Sequence, residues 1–201
     1  MKSQFTIKDK STMDEILAKA EYGTLALSYM NKPYNIPLNF VAVDDTIYFH
    51  GSKKGKKMDL IKHNPLASFS VVEPYSMIQS YFSSDEGLAC PASQFFRSIH
   101  IEGSIDLVQS YDEKVLALTS LMKKLQPEGK YKSLDLDLYT KMIDATQVFK
   151  LIPSDLQGKV KLGQHLPKQR FEKILTNLKL RDTDTDKTTI KNMIQERNNE
   201  I

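Results

Sequence analysis

Three period-two segments joined by turns too short to hold a crossover constrain this chain most. They are residues 24–30 (TLALSYM), 34–43 (YNIPLNFVAV) and the segment opening at Thr46 (TIYFH). Asn31-Lys32 and Asp44-Asp45 are the connections, and such short turns join antiparallel strands; a parallel pair needs a dozen or more residues between its members. The spacing therefore predicts an antiparallel meander and excludes alternating βαβ units. Pro37 interrupts the second segment. It lacks a ladder donor, which predicts a sheet edge or a bulge at that point.

Residues 46–69 (TIYFHGSKKGKKMDLIKHNPLASF) read as strand, basic turn, helix, stop and strand. Ile47 and Phe49 alternate with Thr46, Tyr48 and His50, as in a half-buried strand. Gly51 and Gly55 bracket a turn with Lys53, Lys54, Lys56 and Lys57 around it. Met58, Leu60 and Ile61 give the next helix its apolar stripe. Asn64-Pro65 ends that helix, because the residue before proline avoids the helical region. A glycine-punctuated turn at a helix start suits a phosphate: it offers N–H donors, the positive end of the helix dipole and lysine charge. The same residues also suit a solvated basic turn before a surface helix. The spacing is neither that of a Walker loop nor that of a dinucleotide fingerprint.

Elsewhere the pattern alternates between helix and strand. Thr12 with Glu15 reads as a capping box opening a helix with Met13, Ile16, Leu17 and Ala20 on one face, closed by Gly23. Residues 74–92 read as a loop with some extended or short helical structure. Its aromatics, Tyr75, Tyr81 and Phe82, suit ordinary packing or cover for a ligand or second copy. Residues 95–108 (FFRSIHIEGSIDLV) alternate as a long strand, with a bend or bulge expected at Gly103. Val115, Leu118, Met122 and Leu125 mark a helix over 112–125. Residues 136–143 suggest a short helix, and 146–152 a last strand continued over 159–162. From Pro167 the chain is charged. One helix carries Phe171, Ile174, Leu175 and Leu178, and another carries Ile190, Met193 and Ile194, with a polar linker at 181–187. The division expected is 1–165 for the main domain and 166–201 for a helical extension, packed on the surface, frayed or used as a partner-binding arm.

The chain has 201 residues, 40% of them hydrophobic, and a formal net charge of only +3, which gives no argument for nucleic acid. No stacking aromatics interleave the lysines of the turn. The single cysteine, Cys90, excludes an intrachain disulfide and a cysteine zinc cluster, and it reads as a small buried apolar group. No signal-like apolar run opens the chain and no stretch reaches a membrane span, so a cytoplasmic protein without nucleic-acid or membrane partners is the expectation. His50, His63, His100 and His165 show no metal-ligand spacing. His63 reads as a helix-end cap, and His50 and His100 as strand residues facing away from the aliphatic side.

YNIPLNF, TIYFHGSKKGKKMDLIKHNP, FRSIHIEGSIDLV and DEKVLAL occur in this order. In them the chain resembles the FMN-binding split barrels related to pyridoxamine 5′-phosphate oxidase, and most of all the nitroimidazole-resistance (Nim-type) flavoproteins. The resemblance spans about residues 10–163. It implies a mainly β fold with flanking helices: a six-stranded antiparallel split barrel, here followed by a helical tail. It also implies a homodimer with FMN in a groove at the interface. Carried over by position, His50, Gly51, Ser52, Lys56 and Lys57 match the turn near the FMN phosphate. Pro37, Leu38 and Asn39 match the strand along the isoalloxazine edge, and Arg97 and Ser98 a segment approaching the cofactor. The family commonly has arginine where Lys56 stands, and lysine lacks its bidentate fork.

The implied activity is that of an FMN-dependent oxidoreductase passing electrons from NAD(P)H to a nitro-aromatic or similar small acceptor. Such an enzyme needs no catalytic residue of its own among those named, because the cofactor carries the redox chemistry. The alternatives are haem binding or degradation on the same fold, FAD or a deazaflavin as cofactor, and a non-catalytic module that stores or senses a flavin. Pyridoxamine phosphate oxidation is disfavoured, since the C-terminal pattern of that enzyme is not recognisable at 151–166 or beyond.

Overall fold

The computed structural model describes residues 3–199, so the outermost positions of the divisions 1–165 and 166–201 lie outside the described residues. In chain order the elements are β1 (Thr6–Ile7), α1 (Lys10–Lys19), β2 (Tyr22–Tyr29), β3 (Lys32–Asn39), β4 (Val41–Val43), β5 (Thr46–Gly51), α2 (Lys56–His63) and β6 (Leu66–Ile78). They continue with β7 (Ser93–Leu107), α3 (Tyr111–Leu125), α4 (Thr140–Ala145), β8 (Gln147–Lys161), α5 (Lys168–Arg181) and α6 (Asp184–Asn199). No helix among the described residues is long and apolar enough to cross a membrane.

Contacts gather the chain into two compact units. One, the turn unit, comprises Asp9–Val71 and Ile99–Gln157. The other, the tail unit, comprises Met1–Lys8, Val72–Ser98 and Gly158–Ile201. The strands β6, β7 and β8 each contribute to both.

In the turn unit the strand order is β3-β2-β6-β7-β8-β5-β4. β2 pairs antiparallel with β3 and β6, and β5 pairs antiparallel with β4 and β8. Both expected hairpins form. Their turns are Met30-Asn31 and Asp44-Asp45, all four residues at positive φ, which is the geometry that matches the twist of paired strands. The meander does not form. Its middle segment breaks at Phe40, and the two pieces, β3 and β4, lie at opposite ends of the strand order. Pro37 stays inside β3, opposite Thr24, and β3 is an edge strand, where a missing donor is tolerated.

The break at Phe40 is held from outside the strand. The Phe40 ring is fully buried and meets Phe69 edge-on at 5.0 Å. The Lys124 ammonium lies 3.6 Å from the centre of the same ring. It donates to Phe40 O at 3.0 Å and to Leu17 O, in the last turn of α1, at 2.8 Å. One cation thus satisfies a carbonyl freed by the break and an orphan carbonyl at a helix end. Burial pushes its pKa down to about 8.

Other local expectations shift by small amounts. The N-cap of α1 is Asp9, whose carboxylate accepts from Thr12 N at 2.8 Å, rather than Thr12 itself. Its C-cap is Ala20, and Gly23 lies within β2. Gly103 forms no positive-φ kink. A Cβ there would strike the Ile152 carbonyl, so the residue serves close backbone approach. In α3 the buried positions are Lys114, Ala117 and Leu121, one step round from the apolar stripe. Lys114 lies there because its stem is apolar and its ammonium reaches Thr146 O at 3.2 Å. β8 is continuous from Gln147 to Lys161.

In the tail unit β1 pairs antiparallel with the end of β8, Thr6 opposite Lys159. The segment expected as a loop begins as strand, since β6 runs to Ile78, and a 3-10 turn follows at Ser80–Phe82. Tyr75 and Phe82 are buried and Tyr81 is exposed. Cys90 is exposed, against the expectation of a buried thiol, because its irregular segment carries it clear of the core. The two tail helices are packed rather than frayed: Phe171, Ile174, Leu178 and Met193 are all buried. Only Asp182 and Thr183 separate them, and Asp182 takes the left-handed conformation that ends α5.

Asp186 organises this tail. It is fully buried and accepts from Ser76 Oγ at 2.5 Å, Thr183 Oγ1 at 2.7 Å and Arg181 Nε at 2.8 Å. Arg181 also donates to Gln79 Oε1 at 2.7 Å and Met77 O at 3.0 Å. The Arg181 guanidinium, with the Ser76 and Thr183 hydroxyls, holds the Asp186 carboxyl far below the usual range.

Among the described residues the sheet has eight strands. Two of them, β1 and β4, have only two and three residues. The remaining six correspond to the six strands expected.

Candidate functional site

The basic turn is built by β5 and α2. Gly55 is the N-cap of α2 at φ 104°, a conformation side-chain-bearing residues rarely adopt, and no side chain caps the helix. Two lysines stand at its start. The Lys57 ammonium lies 4.9 Å from the centre of the Phe149 ring and 5.3 Å from that of Phe49. These rings stack at 5.0 Å with 10° between their planes. Gly51 makes room for it: a Cβ at that position would be 2.6 Å from Lys57 Nζ. Burial pushes the Lys57 pKa down. Among the described residues no carboxylate pairs with it.

A half-buried cation without an acid is unfavourable by itself and favours an anionic ligand. His50 stands next to it on β5. Its ring keeps access to solvent yet covers enough protein to be partly desolvated, and that burial together with the Lys57 charge lowers its pKa. The neutral imidazole is thereby favoured near pH 7.

The other lysines of the turn differ. Lys56 is exposed, its ammonium 4.7 Å from the centre of the Tyr34 ring. Lys53 donates to the Asp144 carbonyl at the end of α4. Ser52 is exposed, and its hydroxyl accepts from Lys54 N at 3.0 Å, which closes the turn.

Tyr34 connects the turn to β3. Along that edge strand Tyr34, Ile36 and Leu38 are half-buried and pair with Leu27, Leu25 and Gly23, so they share the face of the buried Leu25 and Leu27. The result is a partly covered apolar strip with Lys56 at one end. Pro37 and Asn39 point to the other face and are exposed. Asn39 Nδ2 donates to Glu21 O at 2.9 Å, which leaves its carbonyl oxygen as the group to offer a ligand.

Of the residues singled out by sequence, His50, Gly51, Ser52, Lys56, Lys57, Pro37, Leu38 and Asn39 belong to the turn unit. Arg97 and Ser98 belong to the tail unit. There Arg97 is buried and ion-paired to Glu73, with contacts of 2.7 and 2.8 Å. Tyr34, Ile36, Phe49 and Phe149 were not singled out. Stepping back by two from Leu38 reaches Ile36 and Tyr34, but nothing in the local sequence reveals that Phe149 stacks on Phe49.

The histidines remain apart. His63 Nδ1 lies 2.6 Å from Asp59 O at the end of α2, His100 is exposed, and His165 meets Phe5 edge-on at 4.9 Å in the tail unit. Among the described residues no three His, Cys, Asp or Glu side chains gather as a metal site.

Comparison with known proteins adds to this geometry. A family model described as pyridoxamine 5′-phosphate oxidase matches residues 9–160. No curated protein matches. Among solved structures, the flavocytochrome Anf3 from Azotobacter vinelandii is 22% identical with a TM-score of 0.66, over 78% of this chain and 69% of that one. A candidate 5-nitroimidazole antibiotic resistance protein from Bacteroides thetaiotaomicron is 20% identical with a TM-score of 0.64, over 77% of this chain and 86% of that one. The FAD- and heme-binding protein from Mycobacterium smegmatis is 20% identical with a TM-score of 0.64, over 85% and 79%. At these identities the likeness establishes the fold, an antiparallel split barrel with flanking helices. With the family model covering most of its length, the chain belongs to the pyridoxamine 5′-phosphate oxidase family.

Proposed function

We propose that the chain is a flavin-binding oxidoreductase that holds FMN at the basic turn. The observation that supports this is Lys57: a partly desolvated ammonium seated on two stacked rings, with no carboxylate among the described residues to neutralise it. A phosphate supplies the missing charge. Lys57 and the first N–H groups of α2 would hold it, with Lys56 screening its outer side. Tyr34, Ile36 and Leu38 offer an apolar wall for an aromatic ring system, and the Asn39 carbonyl oxygen accepts from a ring N–H. Bound flavin supplies two-electron redox chemistry. The neutral His50 imidazole offers one ring N–H donor and one ring nitrogen acceptor beside the site without adding charge against Lys57.

Family membership supports a flavin, as do the descriptions of the Azotobacter and Mycobacterium neighbours. The same reading takes the working unit as a homodimer, NAD(P)H as donor and a nitro-aromatic or similar small molecule as acceptor.

A visible spectrum of the purified protein, before and after FMN is added, tests the reading. Flavin bands that shift on binding are the expected result, with two copies per particle by light scattering. A Soret band with no flavin uptake, or a colourless protein that FMN does not alter, overturns it. Turnover with NAD(P)H and a nitro-aromatic then separates an enzyme from a flavin store.

A further inference from the structure

In the pairing of β5 with β8, Phe49 stands opposite Phe149, and Gly51 follows two residues along β5. Residues two apart on a strand share a face, so the missing side chain of Gly51 leaves a notch beside the two rings. Both rings are buried, and a Cβ on Gly51 would sit 3.8 Å from the Phe149 ring. The Lys57 ammonium fills this notch and lies nearer the centre of the Phe149 ring, at 4.9 Å, than that of Phe49, at 5.3 Å. A residue of β8, remote in sequence from the turn, thus supplies the closer half of the seat.

A second lysine shows what is particular about this seat. Lys124 also lies against a ring, that of Phe40, but it spends two of its three donors on Phe40 O and Leu17 O. Lys57 lies against two rings, and its ammonium donates to no group among the described residues. A ring face attracts a cation through its own field, without neutralising it and without taking it up as a salt-bridge acid would. Burial works against the charged form of Lys57, and the rings work for it. We infer that Phe149 is a positioning residue for the anion site: its ring, paired with that of Phe49, fixes the Lys57 ammonium in the charged form and leaves its donors to a phosphate. This rests on the proposed function for the identity of the anion and adds a residue of β8 to the site.

Phe149→Leu would open space at a fully buried position, so the test keeps the ring and changes only its field. Mono-, di- and trifluorinated phenylalanine, placed at position 149 alone in the full chain, progressively drain the ring face of negative charge. The Lys57 pKa is first followed in flavin-free protein by carbon NMR of the methylene beside the ammonium, the signal being assigned by its loss in Lys57→Met. It should fall stepwise, by about half a pH unit across the series. The neighbouring charges do not compete for this reading: the His50 pKa is already lowered, Lys56 lies over Tyr34, and Lys150 pairs with Glu113. FMN affinity measured one pH unit above the Lys57 midpoint should then fall about threefold across the series, which is that half unit expressed as lost charged form. Riboflavin, which lacks the phosphate, should bind equally well throughout. A Lys57 pKa that does not move along the series overturns the proposal, as does an equal loss of FMN and riboflavin affinity. The NMR series reads no flavin: if the pKa falls as expected and FMN does not bind the wild type, the proposed function fails while the placement of Lys57 by Phe149 stands.

Discussion

Lys57 in the turn unit and Asp186 in the tail unit are both charges withdrawn from water, and the chain treats them in opposite ways. Asp186 is met by a guanidinium and two hydroxyls supplied by the chain itself. Lys57 is met by two aromatic faces and no acid among the described residues. A buried charge with all its partners holds structure together. A half-buried charge whose partner is missing marks where something else is meant to bind. On the proposed function, Asp186 is a structural charge and Lys57 a ligand-binding one.

The largest effect should come from breaking the satisfied side. Asp186→Ala leaves Arg181 without its carboxylate and should lower stability by about 3–5 kcal/mol, measured by urea denaturation. A change below about 1 kcal/mol would make the network ornamental. On the other side, replacing Lys56 and Lys57 by Ala should weaken FMN by about 1.5–3 kcal/mol each, measured by fluorescence titration, while stability in the absence of ligand holds or rises. Unchanged affinity in the double variant would reject the phosphate placement.

The two charges should also answer to opposite ends of the pH scale. Asp186 has its pKa lowered from 3.8, so its contribution is complete above that value and is lost as pH falls further. Lys57 has its pKa lowered from 10.5, so the unfolded chain keeps this proton longer than the folded one. Stability from Lys57 therefore rises as pH approaches 10.5, while FMN affinity falls because the charged form is what binds. Calorimetry and FMN titration of wild type against Lys57→Met across the alkaline range check both signs. The smallest effect should be that of Gly51→Ala. Its Cβ displaces the flexible end of Lys57, so FMN affinity should drop severalfold with a stability change of about 0.5 kcal/mol or less.

Local pattern carried the elements whose causes are local. β5 alternates because one side is buried, α2 stops because Pro65 follows Asn64, and the Asp44-Asp45 turn forms because aspartate tolerates positive φ. The break at Phe40 was not legible. Pro37 drew attention three residues early, and the true cause is a lysine on α3 and a ring on β6. Which of packed or frayed the tail would be was not legible for the same reason: its anchor joins Asp186 to Ser76, 110 positions apart. In the turn unit the family pattern marked Lys56 and Lys57 but could not show that Lys53 is engaged by Asp144 and Asn39 by Glu21, nor, in the tail unit, that Arg97 is engaged by Glu73.

The dependence of the tail on Ser76 has a consequence for portability. Ser76 and Gln79, which meet the tail helices, belong to a segment laid down about a hundred positions earlier. Transplanted onto a relative lacking those two side chains, the helices would carry Arg181 and Asp186 but lose the hydroxyl and the amide that complete their environment. The extension is therefore coupled to the end of β6 and the turn after it, and moving the helices intact would require moving Ser76 and Gln79 with them.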